Sequence, residues 1–389
     1  MSAWKTFFVS LFVCFSVLNI YQANFTTRKY PKSVSSADLP QEVYVHRTTP
    51  PPVKNPYSLT TIEARLGYYF PYLKDDPVEK NIFQLWKTSD LDDPTLFKPE
   101  WEDLIDRWKK ANGDHDLMLY SIQEAENNVV DFLRPTVPEV VDALRLLPHD
   151  RLKFEFLKFL IIYLNGGVYA DVDTINIKPI RFWFNSPMSP TKFWLGVDTD
   201  YNAADWSDHY LRRLTFSTDI FRSKAHHPML GKLIARITYI IFTQKDLIKS
   251  IDWDNAYEVT DASGNPTIQF TGEFILTDTT FEYINTLPDS VLFTSASNDD
   301  LSLTGLSKKI YGPDVKDQKF SYKKFTLLSN PVQINDLAIL PKVSFNGYES
   351  EERDKFDDDG TRSGWEGFYY ARSKKLTGWS LKELKAISN

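Results

Sequence analysis

An α/β fold is predicted for this chain, and three observations carry the prediction. From about residue 81 onward, short apolar runs alternate with amphipathic stretches, which is the pattern of strands and helices taken in turn. A long apolar helical stretch is punctuated by Asn165-Gly166-Gly167 and followed at once by a short β-type run. Aromatic residues make up 15% of the 389 residues, with 27 Phe, 20 Tyr and 10 Trp, a composition of packed chains and not of disordered ones.

The elements follow in order. Asn-Ile-Phe-Gln-Leu-Trp at 81–86 reads as a first buried strand. Over 99–112, Trp101, Leu104, Ile105 and Trp108 fall at helical spacing, with Gly113 as the stop. Residues 117–120 form a second strand, and helices are expected over 122–133 and 138–147, where Pro138 suits a first turn. Residues 151–164 form a strongly apolar helix ended by the diglycine, and Val168-Tyr169-Ala170 is a buried strand running into Asp171-Val172-Asp173. Residues 174–180 continue as an extended, hairpin-like segment. A helix is expected over 227–242, and strands near 338–340 and 368–371.

Composition excludes several chemistries. The formal charge is −7, from 45 Lys+Arg against 52 Asp+Glu, so the cationic footprint of a nucleic-acid-binding protein is missing. The one cysteine, Cys14, rules out an internal disulfide, a cysteine zinc site and a thiolate nucleophile elsewhere. No P-loop, GxGxxG or GxSxG motif occurs, and the six histidines include no pair at metal-binding helical spacing. At the N-terminus, residues 7–20 are almost wholly apolar and, extended to 23, approach the length of a spanning helix. Tyr21 and Gln22 provide no small-x-small cleavage site, so an uncleaved anchor is expected. The expected division is a cytoplasmic tail at 1–6, a signal-anchor helix at 7–23, a Pro-rich stem at 24–57 and a lumenal domain at 58–389. The acidic run Asp357-Asp358-Asp359 lacks EF-hand spacing and reads as a solvated loop.

The chemistry concentrates in residues 152–180. Two aspartates, Asp171 and Asp173, stand at the C-terminal end of a buried strand, where ligands bind in open α/β sheets. Oxygen ligands there suit a hard divalent cation shared with a substrate diphosphate. Strand alternation would put Asp171 and Asp173 on one side and Val172 on the other. Gly166 and Gly167 allow a tight turn and close approach of a ligand to the backbone. In the preceding helix Arg151, Glu155 and Lys158 share one face. Taken alone, that stripe reads as a solvated face with a weak Glu155–Lys158 pair; the diglycine and DxD after it favour a functional face instead.

This block resembles the sugar-binding region of glycosyltransferase family 32: a helix with an acid and a base three apart, then GG-x-Y-x-D-x-D. Further resemblances are Phe70-Pro71-Tyr72, Ile82 to Lys87, Ala204-Asp205-Trp206 with Arg212-Arg213-Leu214-Thr215-Phe216, His226-His227-Pro228, and Thr271-Gly272 with Thr277-Asp278. Within the family the chain is most similar to fungal Golgi α-1,6-mannosyltransferases of the outer-chain-initiating type. The resemblance implies a GT-A, Rossmann-like nucleotide-sugar-binding fold, GDP-mannose as donor and Mn²⁺ as cation. It implies Asp173 as direct metal ligand, Asp171 on the donor ribose or reaching the metal through water, and Glu155 and Lys158 on the transferred sugar. Trp86 would stack on the base with Gln84 beside it, and Gly166, Gly167 and Tyr169 would complete the donor site. It also implies retention of configuration, a glycan acceptor on a glycoprotein, a single-pass type II Golgi location and other Golgi mannosyltransferase subunits as partners.

The chain departs from the family pattern at three places. Glu155 replaces the usual Asp, Glu273 follows Thr271-Gly272 where Pro or Ser is expected, and Ser373 stands where a His precedes a Trp near the C-terminus. Two rival readings follow: a catalytically weak or inactive paralogue serving as a structural subunit of a mannan-synthesising complex, and a sphingolipid mannosyltransferase. His227 is read as a helix-start packing residue, His226 as solvated, and Asp205-Trp206 equally as acceptor-lining or as core.

Overall fold

The computed structural model describes residues 59–91, 97, 99–183, 191–262, 266–287, 320–347 and 368–374, with the backbone of Val43–Tyr44. The predicted tail, anchor and nearly all of the stem lie outside the described residues, as do residues 357–359 and 375–379. Among the described residues no helix is long and apolar enough to cross a membrane.

The strands are β1 (Val43–Tyr44), β2 (Asn81–Trp86), β3 (Asp116–Ser121), β4 (Gly167–Ala170), β5 (Thr174–Asn176), β6 (Phe193–Asp200), β7 (Leu214–Ser223), β8 (Val332–Ile334), β9 (Leu337–Leu340) and β10 (Ala371–Ser373). Eight of them form one mixed sheet in the order β1-β8-β9-β6-β7-β4-β2-β3, and β5 pairs with β10 in a separate ribbon. β2 is parallel to both β3 and β4, whereas β7 runs antiparallel to β4 and to β6. Strands β2, β3, β4 and β6 therefore end on one edge of the sheet, the edge on which α/β folds place their ligands.

The helices are α1 (Ile62–Tyr69), α2 (Pro99–Ala111), α3 (Ile122–Leu133), α4 (Pro138–Leu146), α5 (Asp150–Asn165), α6 (Trp206–His209), α7 (Pro228–Thr243), α8 (Lys245–Ser250), α9 (Trp253–Glu258), α10 (Glu273–Thr286), α11 (Tyr322–Phe325) and α12 (Val343–Asn346). Helix α3 starts on a capping box: Glu124 N–H donates to Ser121 Oγ at 3.2 Å, and Ser121 N–H donates to Glu124 Oε2 at 2.7 Å. Helix α4 opens on Pro138 with no side-chain cap. Helix α5 is buried from Phe156 through Leu164 and forms the spine of the main core with α7 and α10. The opposite sheet face carries a smaller cluster of Trp108, Trp183, Trp194, Phe345 and Tyr370.

Three expectations are corrected. The strand expected near 368–371 is β10 at 371–373, three residues on, because it pairs residue for residue with β5. Residues 174–180 make no hairpin with the strand before them; β5 turns away to meet β10, and the chain goes on into a short 3-10 turn at Ile180–Phe182. His226 is only partly solvated: it sits at φ 64° against Phe70 and Tyr163, with Nδ1 3.2 Å from the Pro71 carbonyl. His227 caps α7 as expected, its Nδ1 accepting from Met229 N–H at 3.2 Å.

That cap fixes the His227 tautomer, leaving Nε2 to face Asp336 Oδ1 at 3.4 Å, while the Tyr72 hydroxyl donates to Asp336 Oδ2 at 2.5 Å. Burial alone would raise the Asp336 carboxyl, but His227 and the bond from Tyr72 outweigh it and hold the group below the usual carboxylate range. A depressed native pKa contributes stability above the unfolded value of about 3.9 and loses it as pH falls through the native one. Asp336→Asn is expected to cost about 1–3 kcal/mol at pH 7 and progressively less toward pH 3, read by urea unfolding at the two pH values.

Candidate active site

The site is built where β4 ends. Asp171 follows Ala170 directly, and Lys158, from the middle of the buried helix α5, places Nζ 2.8 Å from Asp171 Oδ2; the lysine side chain is 5% exposed and the aspartate 15%. The Tyr169 hydroxyl donates to the other carboxylate oxygen at 2.5 Å. The Asp171 backbone is held as firmly. Its N–H donates to the Asp219 carbonyl at 2.8 Å, and its carbonyl accepts from Thr174 N–H at 3.1 Å and Thr174 Oγ1 at 2.5 Å. The solvated reading of the α5 stripe is thereby overturned, because Lys158 pairs with Asp171 and not with Glu155.

Burial raises the Asp171 carboxyl to about 6; Lys158 opposes that rise, and repulsion from Asp219 adds to it. Burial and the Asp171 charge together push the Tyr169 phenol well above its ordinary value, so it stays a hydrogen-bond donor to the carboxylate. The strand alternation expected over 171–173 gives way to a turn closed by Thr174, and Val172 is nonetheless buried in the main core while Asp173 stays partly exposed.

The ribbon carrying Asp173 is braced from both sides. Trp108 Nε1 of α2 donates to the Thr174 carbonyl and to Thr174 Oγ1, each at 3.1 Å, and Arg107 Nε donates to the Asn176 carbonyl at 2.9 Å. From the C-terminal side, Ser373 pairs with Thr174 and Lys374 N–H donates to the Asp173 carbonyl at 3.1 Å. The sequence position read as a missing histidine thus lies beside the DxD in space.

Other predicted residues fall as follows. Glu155 Oε2 accepts from Thr271 Oγ1 at 2.6 Å and its Oε1 lies 3.4 Å from Arg151 Nε. Gln84 is fully buried on β2, with Nε2 3.5 Å from the Asp171 carbonyl and Oε1 without a hydrogen bond among the described residues. Trp86 is 5% exposed and packs edge-to-face on Trp101 at 4.7 Å and Phe154 at 6.3 Å, with Lys87 over its ring at 5.5 Å. Gly166 and Gly167 take φ 65° and 110° at the other end of β4 from the aspartates. A Cβ on Gly166 would meet Glu79 Oε2 at 1.8 Å, and one on Gly167 would meet the Asn81 carbonyl at 2.4 Å, so here the close approach is made by the protein itself. Asp205 is exposed and Trp206 partly so, at the start of α6, which sets aside the core reading of that pair.

Two separately noted segments are joined. Arg212 forms a bidentate pair with Asp278 at 3.0 and 2.9 Å, and Phe216 N–H donates to Thr277 Oγ1 at 2.9 Å, locking β7 to α10. Asp219 is the contribution no sequence signal announced, since a lone acid in a strand is common; Thr271 stands in the Thr-Gly pair noted above, but nothing in the sequence points to its bond with Glu155.

Among the described residues no three His, Cys, Asp or Glu side chains are grouped to hold a metal by themselves. A cation that keeps several ligands from water and diphosphate needs only one or two carboxylates, and Asp173 with Asp171 beside it fits that sparse requirement. Asp171 could reach it through a lone pair that Lys158 and Tyr169 leave open, or indirectly through water.

Comparison with known proteins agrees with this geometry. The family model described as "Glycosyltransferase sugar-binding region containing DXD motif" matches residues 98–194, which include α5, β4 and both aspartates. The initiation-specific alpha-1,6-mannosyltransferase of Candida albicans is 32% identical over 307 residues, covering 75% of this chain and 71% of that protein. The Saccharomyces cerevisiae protein of the same name is 24% identical, covering 88% and 89% of the two chains. The solved structure of the PaToxG glycosyltransferase is a distant likeness, 16% identical over 68% of this chain and 87% of that one with a TM-score of 0.34. A DXD at the carboxyl edge of a mixed α/β sheet, with this family match, defines a glycosyltransferase. The chain belongs to glycosyltransferase family 32, with the fungal initiation-specific α-1,6-mannosyltransferases.

With Asp171 titrating near 6, donor binding that needs its carboxylate should weaken as pH drops below about 6. Removing the cation that lowers this pKa moves the acid limb upward. In Lys158→Met, the pH at which donor affinity halves, measured by calorimetric titration, is therefore expected to be higher than in the wild type.

Proposed function

We propose that this chain transfers mannose from GDP-mannose to a mannose-terminated N-glycan or mannan chain, forming an α-1,6 linkage with retention of configuration. The observation that carries the reading is the Asp171-Val172-Asp173 turn at the end of β4, tied by Lys158 to the helix that also carries Glu155. The names of the relatives support mannose as the sugar. The GT-A fold, Mn²⁺, the guanine base and a location on the lumenal side of the Golgi membrane, behind an anchor at 7–23 and a stem at 24–57, are part of this proposal and rest on the resemblance to the family. Neither a purely structural subunit nor a sphingolipid transferase is favoured by any contact in the site.

A cation held by Asp173 would supply Lewis-acid stabilisation of the diphosphate leaving group. The protein's own part is positioning. Lys158 and Tyr169 hold Asp171 in one orientation at the rim of the donor site, and α2 and β10 clamp the turn that presents Asp173. Glu155, one helical turn from Lys158 on the same face, is ready to accept hydrogen bonds from hydroxyls of the transferred sugar.

The test uses the full-length chain in detergent with a panel of nucleotide sugars and a mannose-terminated acceptor. Turnover of GDP-mannose that needs Mn²⁺ and falls by about a thousandfold or more in Asp173→Ala is expected. Turnover of none of the donors by folded protein would overturn the reading.

A further inference from the structure

We infer that Thr271 is a positioning residue of the transferase, acting through Glu155 to aim its carboxylate at the hydroxyls of the bound hexose. The inference rests on the donor-site reading above and deepens it.

Thr271 stands just before α10, and its hydroxyl donates to Glu155 Oε2 at 2.6 Å across 116 residues of chain; Thr271 itself is fully buried. The approach is tight by construction. A Cβ on Gly272 would lie 3.2 Å from both Cδ and Oε2 of Glu155, so a side chain there would press on the same carboxylate. Gly272 has φ −111°, an ordinary value, so space and not backbone conformation calls for glycine here. The region behind Thr271 does not yield. Gln269 Oε1 accepts from Phe274 N–H at 3.2 Å, and four residues into α10 Thr277 and Asp278 are bonded to β7.

The other oxygen of Glu155 is guided by Arg151 at 3.4 Å, whose guanidinium lies 4.3 Å from the centre of the Tyr257 ring. The Tyr257 hydroxyl is buried and makes no hydrogen bond among the described residues. An ionised carboxylate accepts about four hydrogen bonds, and Thr271 occupies one of these places while Arg151 stands at the edge of another. The remaining lone pairs can take neighbouring hydroxyls of a pyranose ring, in an orientation that Thr271 dictates. Burial falls along α5 from Lys158 through Glu155 to Arg151, at 5%, 13% and 22% side-chain exposure, so the strip opens from the DxD toward solvent.

The closing experiment compares wild type, Thr271→Val and Thr271→Ser in donor turnover, with GDP binding and thermal unfolding measured alongside. Valine keeps the shape and removes the donor; serine keeps the donor. The expected result is a fall of about tenfold in kcat/KM for GDP-mannose in Thr271→Val, with the affinity for GDP alone unchanged and activity recovered in Thr271→Ser. In a Glu155→Gln background, Thr271→Val should cost nothing further, since both changes act on one interaction. Equal losses in the valine and serine variants, additive losses with Glu155→Gln, or a wild-type kcat/KM in Thr271→Val would each overturn the inference. Wild-type turnover of a different nucleotide sugar would overturn the donor reading alone, and the same comparison would then be made with that sugar. No turnover of any donor would overturn both.

Discussion

One buried ion pair organises this molecule. Lys158 projects from a largely buried helix, and among the described residues it pairs with Asp171, just past the end of the central strand. Two charges this deep, with side chains 5% and 15% exposed, gain little from water. They persist because each satisfies the other, with Tyr169 taking up the remaining carboxylate oxygen. A pair of this kind is weak evidence of stability and strong evidence of placement, because shifting α5 against β4 would strand a charge in the core. The register of that helix on that strand is thus set by the same side chains that define the site.

Around the pair the chain is tied by contacts between distant segments. Glu79 accepts from Lys224 Nζ at 2.7 Å and from Ala225 N–H at 3.0 Å, clamping the turn before α7 against the diglycine at the start of β4. Arg212 and Asp278 clamp the segment leading into β7 to α10. The Glu79 contacts hold the start of β4 and the bonds of Asp171 with Asp219 and Thr174 hold its far end, so the strand that presents the aspartates sits in a fixed frame, which catalysis by positioning requires.

The sequence made legible what is local. The strand at 81–86, the amphipathic helix ending before Gly113, the Pro138 start of α4 and the long apolar helix before the diglycine all follow from periodicity and end signals. Agreement there is within a residue or two. The carboxylates at the end of a buried strand were visible in the same way. What depends on pairing was not. Strands β6 and β7 follow no simple alternation because their ladder shifts register between Leu195 and Val197 and again before Asp200. β10 was misplaced by three residues because only its partner, two hundred residues earlier, decides where it begins. The partners of Lys158 and Glu155 were equally invisible, since helical spacing puts the two on one face but cannot say that one reaches the strand and the other a loop before α10.

The β5–β10 ribbon carries a consequence for how the protein is made. β5 follows directly on Asp173, and its partner lies nearly two hundred residues later, at 371–373. Chains emerge from the ribosome N-terminus first, so the main sheet and the helix holding Lys158 can form while that partner is still unsynthesised. Until residues 371–373 appear, the wall beside the aspartates is missing. The core of the molecule is then older than its active site in the life of each chain, and the arrival of β10 is the event that finishes the site.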